Sequence, residues 1–133
     1  MDHHAALIYT MVLISAADSD MTDAELRTIG DIVQHLPVFE GFDPDKLVET
    51  AAACAEVLTK ENGFEEAVGM IQKGLPPKLA ETAYALACDV AAADGSVSQE
   101  ELELLADLRY RLAVGRLPAA AIERGAKARY SKL

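Results

Sequence analysis

The chain has 133 residues, of which 51% are hydrophobic, and a formal net charge of −10. Its length fits one domain of ordinary size, and its apolar content excludes a wholly disordered chain. Its acidity excludes a protein that wraps nucleic acid, because such proteins need clustered Lys and Arg against the phosphates. Ala and Leu dominate the apolar residues, and only 5% of residues are aromatic, which favours helices over strands.

Seven helices are predicted in chain order, at about residues 4–17, 22–35, 43–60, 64–73, 76–93, 98–113 and 118–130. The first and the fifth are apolar on nearly every side, as in central, buried helices. The second has one apolar stripe, made of Leu26, Ile29, Ile32, Val33 and Leu36. Asn62-Gly63 is predicted to end the third helix with a left-handed cap. No alternating strand pattern occurs, so the prediction is an all-α fold in one compact domain, residues 1–133.

The sequence contains an internal repeat. A shift of 76 positions places residues 80–112 over residues 4–36, which predicts a pseudo-twofold repeat of helix pairs. In both copies the inter-helix turn ends in a capping box, Thr22 with Glu25 and Ser98 with Glu101, in which hydroxyl and carboxylate each accept a backbone amide. Hydrophobic staples are expected just before each cap, from Met21 to Leu26 and from Val97 to Leu102.

Capping leaves Asp18, Asp20 and Asp94 unexplained. A carboxylate just past a helix C-terminus faces the negative end of the helix dipole. It therefore needs a compensating partner, which is the next helix N-terminus, a basic side chain or a cation. Asp89, inside the apolar fifth helix, is predicted to be a hydrogen-bonded core residue, with a functional role as the alternative.

A calcium loop is rejected for these turns. Asp94–Glu101 has the form of the second half of an EF-hand loop, but Val90 and Ala92 stand where further oxygen ligands would be required. A shared site, with one or two carboxylates from each copy, stays open. Such an all-oxygen site suits Ca²⁺, Mg²⁺ or Mn²⁺ rather than hydrolytic zinc.

At these two turns the chain resembles the tellurite-resistance TerB family. The likeness rests on residues 16–26 and 91–102, on the count of seven helices and on the repeat. It implies a compact helical domain in which acidic residues bind divalent metal ions, in a protein linked to tellurite and general stress resistance. The acidic positions that match the family are Asp18, Glu25, Asp94 and Glu101. The copies differ, because Ser19 replaces the glycine kept as Gly95, and Ser96 stands opposite Asp20. The predicted metal ligands are Asp18, Asp20, Glu25, Asp94 and Glu101.

The remaining features concern charge, location and sulfur chemistry. Residues 1–108 contain five basic and 21 acidic side chains, a net −16, whereas residues 109–133 contain seven basic and one acidic, a net +6. The basic end is expected to fold back on the acidic body, with a short patch for an anionic partner as the alternative. Cys54 and Cys88 are predicted to be small core residues of a reduced, cytoplasmic protein, and a disulfide between them has no support. No signal peptide is visible, and the apolar run 5–17 is shorter than the roughly 20 residues that span a bilayer, so no membrane insertion is expected.

These patterns predict a non-enzymatic acidic module that binds divalent cations, a protein partner, or both. The histidines, His3, His4 and His35, lie outside the acidic turns, and no Ser–His or Cys–His spacing suggests a nucleophile. The first alternative is a purely structural protein-interaction domain without metal, and the second is a metal-assisted enzyme. A protein partner is expected and a homodimer stays open.

Overall fold

The computed structural model of the protein describes residues 1–17 and 21–133, and in these residues it contains helices and no strands. The seven α-helices are α1 (His3–Ser15), α2 (Asp23–His35), α3 (Leu47–Leu58), α4 (Gly63–Gly74), α5 (Ala80–Ala92), α6 (Gln99–Arg111) and α7 (Arg116–Arg129). The all-α fold with seven helices is therefore confirmed. The pseudo-twofold relation between the helix pairs stays a prediction.

Helix α1 is the centre of the core, as its composition predicts. Every residue from Ala6 to Ser15 is buried, and the helix packs against α3, α4 and α5. Its two polar members are treated differently, because Thr10 Oγ1 donates to the Ala6 carbonyl at 2.8 Å, whereas Ser15 Oγ has no partner among the described residues. The helix therefore tolerates a hydroxyl where its own backbone can accept the proton.

Helix α5 is the second central element. It packs against α1, α2, α6 and α7, and seven of its side chains are buried, from Ala83 to Ala91. Contacts also cross between the pairs, since α6 touches α1 while α2 touches α5. Each central helix therefore contacts the outer helix of the other pair.

The helix starts differ from the predicted ones at the prolines. Pro44–Lys46 and Pro77–Leu79 form single 3-10 turns ahead of α3 and α5, because a proline cannot donate a backbone hydrogen bond but fits a first turn. Helix α7 begins at Arg116, two residues before the predicted Pro118.

The predicted left-handed cap at Asn62-Gly63 is wrong. Asn62 has φ −109°, and α4 starts at Gly63. Glycine is needed there for a different reason, since a Cβ at this position would lie 2.2 Å from the Val57 carbonyl oxygen. A left-handed residue instead follows α6, where Ala113 has φ 57° and the Val114 amide reaches back to the Arg109 carbonyl at 3.0 Å.

The basic C-terminal segment folds back on the acidic body, as predicted. Arg129 in α7 forms an ion pair with Asp89 in α5. Arg111 in α6 grips Glu65 in α4 with two hydrogen bonds of 2.7 Å, and this contact lowers the pKa of Glu65. None of the described helices is both long and apolar enough to cross a membrane.

Two glycines of α4 should respond oppositely to alanine. Gly63→Ala is expected to lower the free energy of unfolding by about 1–3 kcal/mol, because its Cβ would collide with backbone that cannot move aside cheaply. Gly69→Ala should raise it by up to about 1 kcal/mol, because nothing lies within 4 Å and alanine is the better helix former. Urea unfolding followed by circular dichroism measures both. Equal effects of the two substitutions would contradict the close approach at Gly63.

Candidate cation site at the acidic inter-helix turns

Both predicted capping boxes are present. Thr22 Oγ1 accepts the Glu25 amide at 3.1 Å, and Glu25 Oε1 accepts the Thr22 amide at 2.9 Å. The second copy repeats this with Ser98 and Glu101, at 3.1 and 3.0 Å. Each box satisfies two amides at a helix start that would otherwise lack partners, so both turns end in the same rigid geometry.

The glutamates of these boxes are buried and the leucines after them are not. Glu25 and Glu101 are each 3% exposed, whereas Leu26 and Leu102 are 52% and 51% exposed. Adjacent positions lie about 100° apart around the helix axis. When the glutamate folds back over the helix start, the next side chain therefore points outward. The predicted stripe of α2 is thus wrong at its ends, Leu26 and Leu36, and about half of each staple leucine is uncovered.

Glu101 has a carboxylate oxygen that the capping box does not use. Its Oε1 accepts the Ser98 amide, while Oε2 is buried and has no hydrogen-bond partner in residues 1–17 and 21–133. A buried polar atom without a partner costs roughly 1–3 kcal/mol, and more when it is charged. Glu101 Oε2 is thus an acceptor that lacks a donor or a cation among the described residues.

Asp94, also predicted as a ligand, is exposed and structures its own turn. Its Oδ1 accepts the Ser96 amide at 3.1 Å, and Gly95 follows with φ +86°, a conformation that favours glycine. Helix α5 continues to Ala92 with Val90 fully buried, so a calcium loop cannot begin before Asp94. The hydrogen bond to Ser96 explains one oxygen of Asp94 and leaves the other available to a ligand.

Asp18 and Asp20, the other two predicted ligands, lie outside the described residues. The residues that lead into this turn are described. Ala16 and Ala17 at the end of α1 line a hollow of about 350 Å³ together with Glu100 and Leu104 of α6. The chain therefore enters the first acidic turn beside the first turn of α6, which carries Glu101. The first acidic turn thus begins next to α6, the helix that follows the second acidic turn.

The described carboxylates do not complete a site by themselves. Among residues 1–17 and 21–133, no three His, Cys, Asp or Glu side chains are grouped so that they could hold a metal ion. Glu25, Asp94 and Glu101 alone are thus insufficient. The donor chemistry nevertheless fits a hard cation, since it consists of carboxylate oxygens, one of them buried without a partner.

Asp89 has a structural partner that the sequence pattern did not identify. Its side chain is 17% exposed and pairs with Arg129 of α7, so a basic side chain satisfies it, rather than the backbone amides of another helix. The same interface contains a hydrogen bond of 2.6 Å from the Tyr84 hydroxyl to Glu123. Burial and this bond raise the pKa of Tyr84. Both pairs join α5 to α7 over a separation of about 40 residues, beyond the reach of local sequence patterns.

The cysteines are buried, as predicted. Desolvation raises the pKa of Cys54 and that of Cys88 to about 12. Both are free thiols, and Cys54 Sγ points toward the Tyr9 carbonyl at 3.9 Å. Neutral thiols of this kind are weak nucleophiles and weak metal ligands.

The comparisons with known proteins agree with the predicted family. The family model described as tellurite resistance protein TerB matches residues 4–123. The chain belongs to the TerB family. No curated protein and no solved structure matches the chain significantly. The matched span contains both acidic turns and all five predicted ligand positions, and it leaves out residues 1–3, the end of α7 and the residues after it.

Thiol labelling tests the burial of the two cysteines. In the folded protein at pH 8, neither Cys54 nor Cys88 should react with iodoacetamide, and both should react in denaturant. The free energy of unfolding should fall as the pH rises from about 9 toward 12, because the unfolded chain releases thiol protons that the folded chain retains. Rapid labelling of either thiol in the native state would contradict this assignment.

Proposed function

We propose that this TerB domain is a non-enzymatic acidic module of the tellurite- and stress-resistance type, which binds a divalent cation at its two inter-helix turns. The observation that carries the proposal is the buried Oε2 of Glu101, an acceptor without a partner among the described residues. A cation would supply that partner and would offset the burial of the charge.

The proposed ligands combine both turns. Glu101 and Asp94 would contribute from the second turn, and Asp18, Asp20 and Glu25 from the first. The support for a shared site is that Ala16 and Ala17 line one hollow with Glu100 of α6. Oxygen ligands favour Ca²⁺, Mg²⁺ or Mn²⁺, of which Ca²⁺ tolerates the most ligands and the least regular geometry.

The absence of enzymatic activity is part of the proposal. Of the histidines, His4 Nε2 lies 3.0 Å from the Val38 carbonyl and its ring stacks on Phe39, while His35 Nδ1 lies 2.9 Å from the Asp31 carbonyl. These contacts give both rings structural roles, and the buried thiols lack nucleophilic character. A binding role, in the cytoplasm and with a protein partner, fits these features best.

Thermal melting tests cation binding directly. After treatment with EDTA, millimolar Ca²⁺, Mg²⁺ or Mn²⁺ should raise the melting midpoint, because a ligand at a hundredfold its Kd adds about 2.7 kcal/mol to the free energy of unfolding. Asp18→Asn and Asp94→Asn should each diminish the rise. Glu56→Gln is a control, since Glu56 is an exposed carboxylate on α3 that belongs to neither turn. If no ion shifts the midpoint, the protein is an interaction domain whose turns act only as helix caps.

Glu101→Gln separates capping from cation binding. Glutamine keeps the Oε1 acceptor for the Ser98 amide, so the cap should survive and the midpoint in EDTA should equal or exceed that of the wild type. The cation-dependent rise should disappear. Glu103→Gln, the same change at an exposed position of the same helix, should leave the rise intact. A Glu101→Gln protein that still responds fully to cations would remove Glu101 from the site.

A further inference from the structure

A large pocket lies between α5, α6 and the end of α7, next to the capped start of α6. Its volume is about 800 Å³, within the range of roughly 300–1,000 Å³ found for small-molecule sites. Among the described residues, neither Glu25 nor Glu101 lines it, whereas Asp94, another predicted ligand, does. The proposed cation site therefore does not account for this pocket.

The wall of this pocket, which we call the α5–α7 pocket, is mainly apolar. It includes Val97, Leu102, Leu105 and Ala106. Leu102 and Val97 are 51% and 36% exposed, although both are apolar and belong to the capped start of α6. The fold thus leaves an uncovered apolar surface inside a concavity, where a bound apolar group would be removed from water.

The charged groups around the pocket favour an anion. Three cations line it, Arg109, Lys127 and Lys132, against two carboxylates, Asp94 and Glu123. The lining thus carries a formal +1 in a protein whose net charge is −10. This local excess of positive charge is contributed by the basic end of the chain.

The hydrogen-bond and ion-pair partners of these charged residues also favour an anionic ligand. Both carboxylates already accept hydrogen bonds, Glu123 from the Tyr84 hydroxyl and Asp94 from the Ser96 amide. By contrast, neither Lys127 nor Lys132 forms an ion pair with a described residue. One oxygen of each carboxylate is thus occupied, whereas the ammonium groups of Lys127 and Lys132 form no ion pair with the described residues.

We propose that the α5–α7 pocket binds an amphipathic carboxylate of the fatty-acid class. The acyl chain lies against Leu102, Leu105 and Ala106, and the carboxylate is met by Lys127 and Lys132. Arg109 is not assigned to the ligand, because its guanidinium already donates a hydrogen bond of 3.1 Å to the Val114 carbonyl just after α6. The pocket borders the proposed cation site at Asp94, but binding of the carboxylate through Lys127 and Lys132 does not depend on that site.

Isothermal titration calorimetry with dodecanoate, below its micelle concentration, tests the proposal on the full chain. We expect saturable binding of one molecule per chain, and at least tenfold weaker binding of dodecyltrimethylammonium, which has the same tail and the opposite charge. Equal affinity for the two amphiphiles would overturn the assignment of the head group, and no binding of dodecanoate would overturn the proposal.

Two pairs of variants localise the site. Ala106→Phe, which fills the pocket from an exposed helical position, should weaken binding at least tenfold, whereas Ala120→Phe on α7, outside the pocket lining, should not. The double change Lys127→Gln and Lys132→Gln should weaken dodecanoate about tenfold, while Lys73→Gln with Lys78→Gln should leave it unchanged. Circular dichroism verifies that each variant is folded.

Two results of these variants would refute the site. Equal effects of Ala106→Phe and Ala120→Phe would mean that dodecanoate binds elsewhere. Self-association of the wild type that Ala106→Phe abolishes, seen by light scattering without added ligand, would assign the pocket to a second copy of the chain instead.

Discussion

The burial of two apolar helices, α1 and α5, governs the rest of this structure. Helices α1 and α5 pack together at the centre, and every residue of α1 from Ala6 to Ser15 is buried. A helix buried all round cannot carry exposed polar groups along its length, so polar groups are displaced to its ends. The acidic turns follow these two helices directly. The position of the candidate cation site is thus a consequence of how the core is built.

The same constraint explains why the capping glutamates are unusual. A capping-box glutamate on a surface helix is normally solvated, but Glu25 and Glu101 cap the starts of helices that lie against the buried pair, and both are 3% exposed. Capping uses one oxygen of Glu101 and leaves Oε2 enclosed without a described partner. Glu101 therefore stabilises the start of α6 through Oε1 alone among its two carboxylate oxygens, as far as the described residues are concerned. A charged group in this state is more costly than a core of well-packed apolar residues, which favours a functional reason for it.

The basic C-terminal segment supplies a second organising interaction. Helix α7 is tied to α5 by Arg129 with Asp89 and by Tyr84 with Glu123, and these pairs fix one wall of the α5–α7 pocket. The net +6 of residues 109–133 is thereby divided between pairing with the acidic body and the cationic lining of the pocket. A protein of net charge −10 thus has a pocket whose charged side chains sum to a formal +1.

The sequence by itself determined the all-α class, the seven helices, the buried character of α1 and α5, both capping boxes and the TerB family. Each of these depends on residues close together in the chain, whose spacing fixes hydrogen bonds and amphipathic faces. Only the tertiary structure decided that Glu101 rather than Leu102 is buried, that Asp89 meets Arg129, that Gly63 serves a close backbone approach and that a pocket opens between α5, α6 and α7. These features join residues far apart in sequence or depend on the exact rotation of a helix, and no local pattern encodes either.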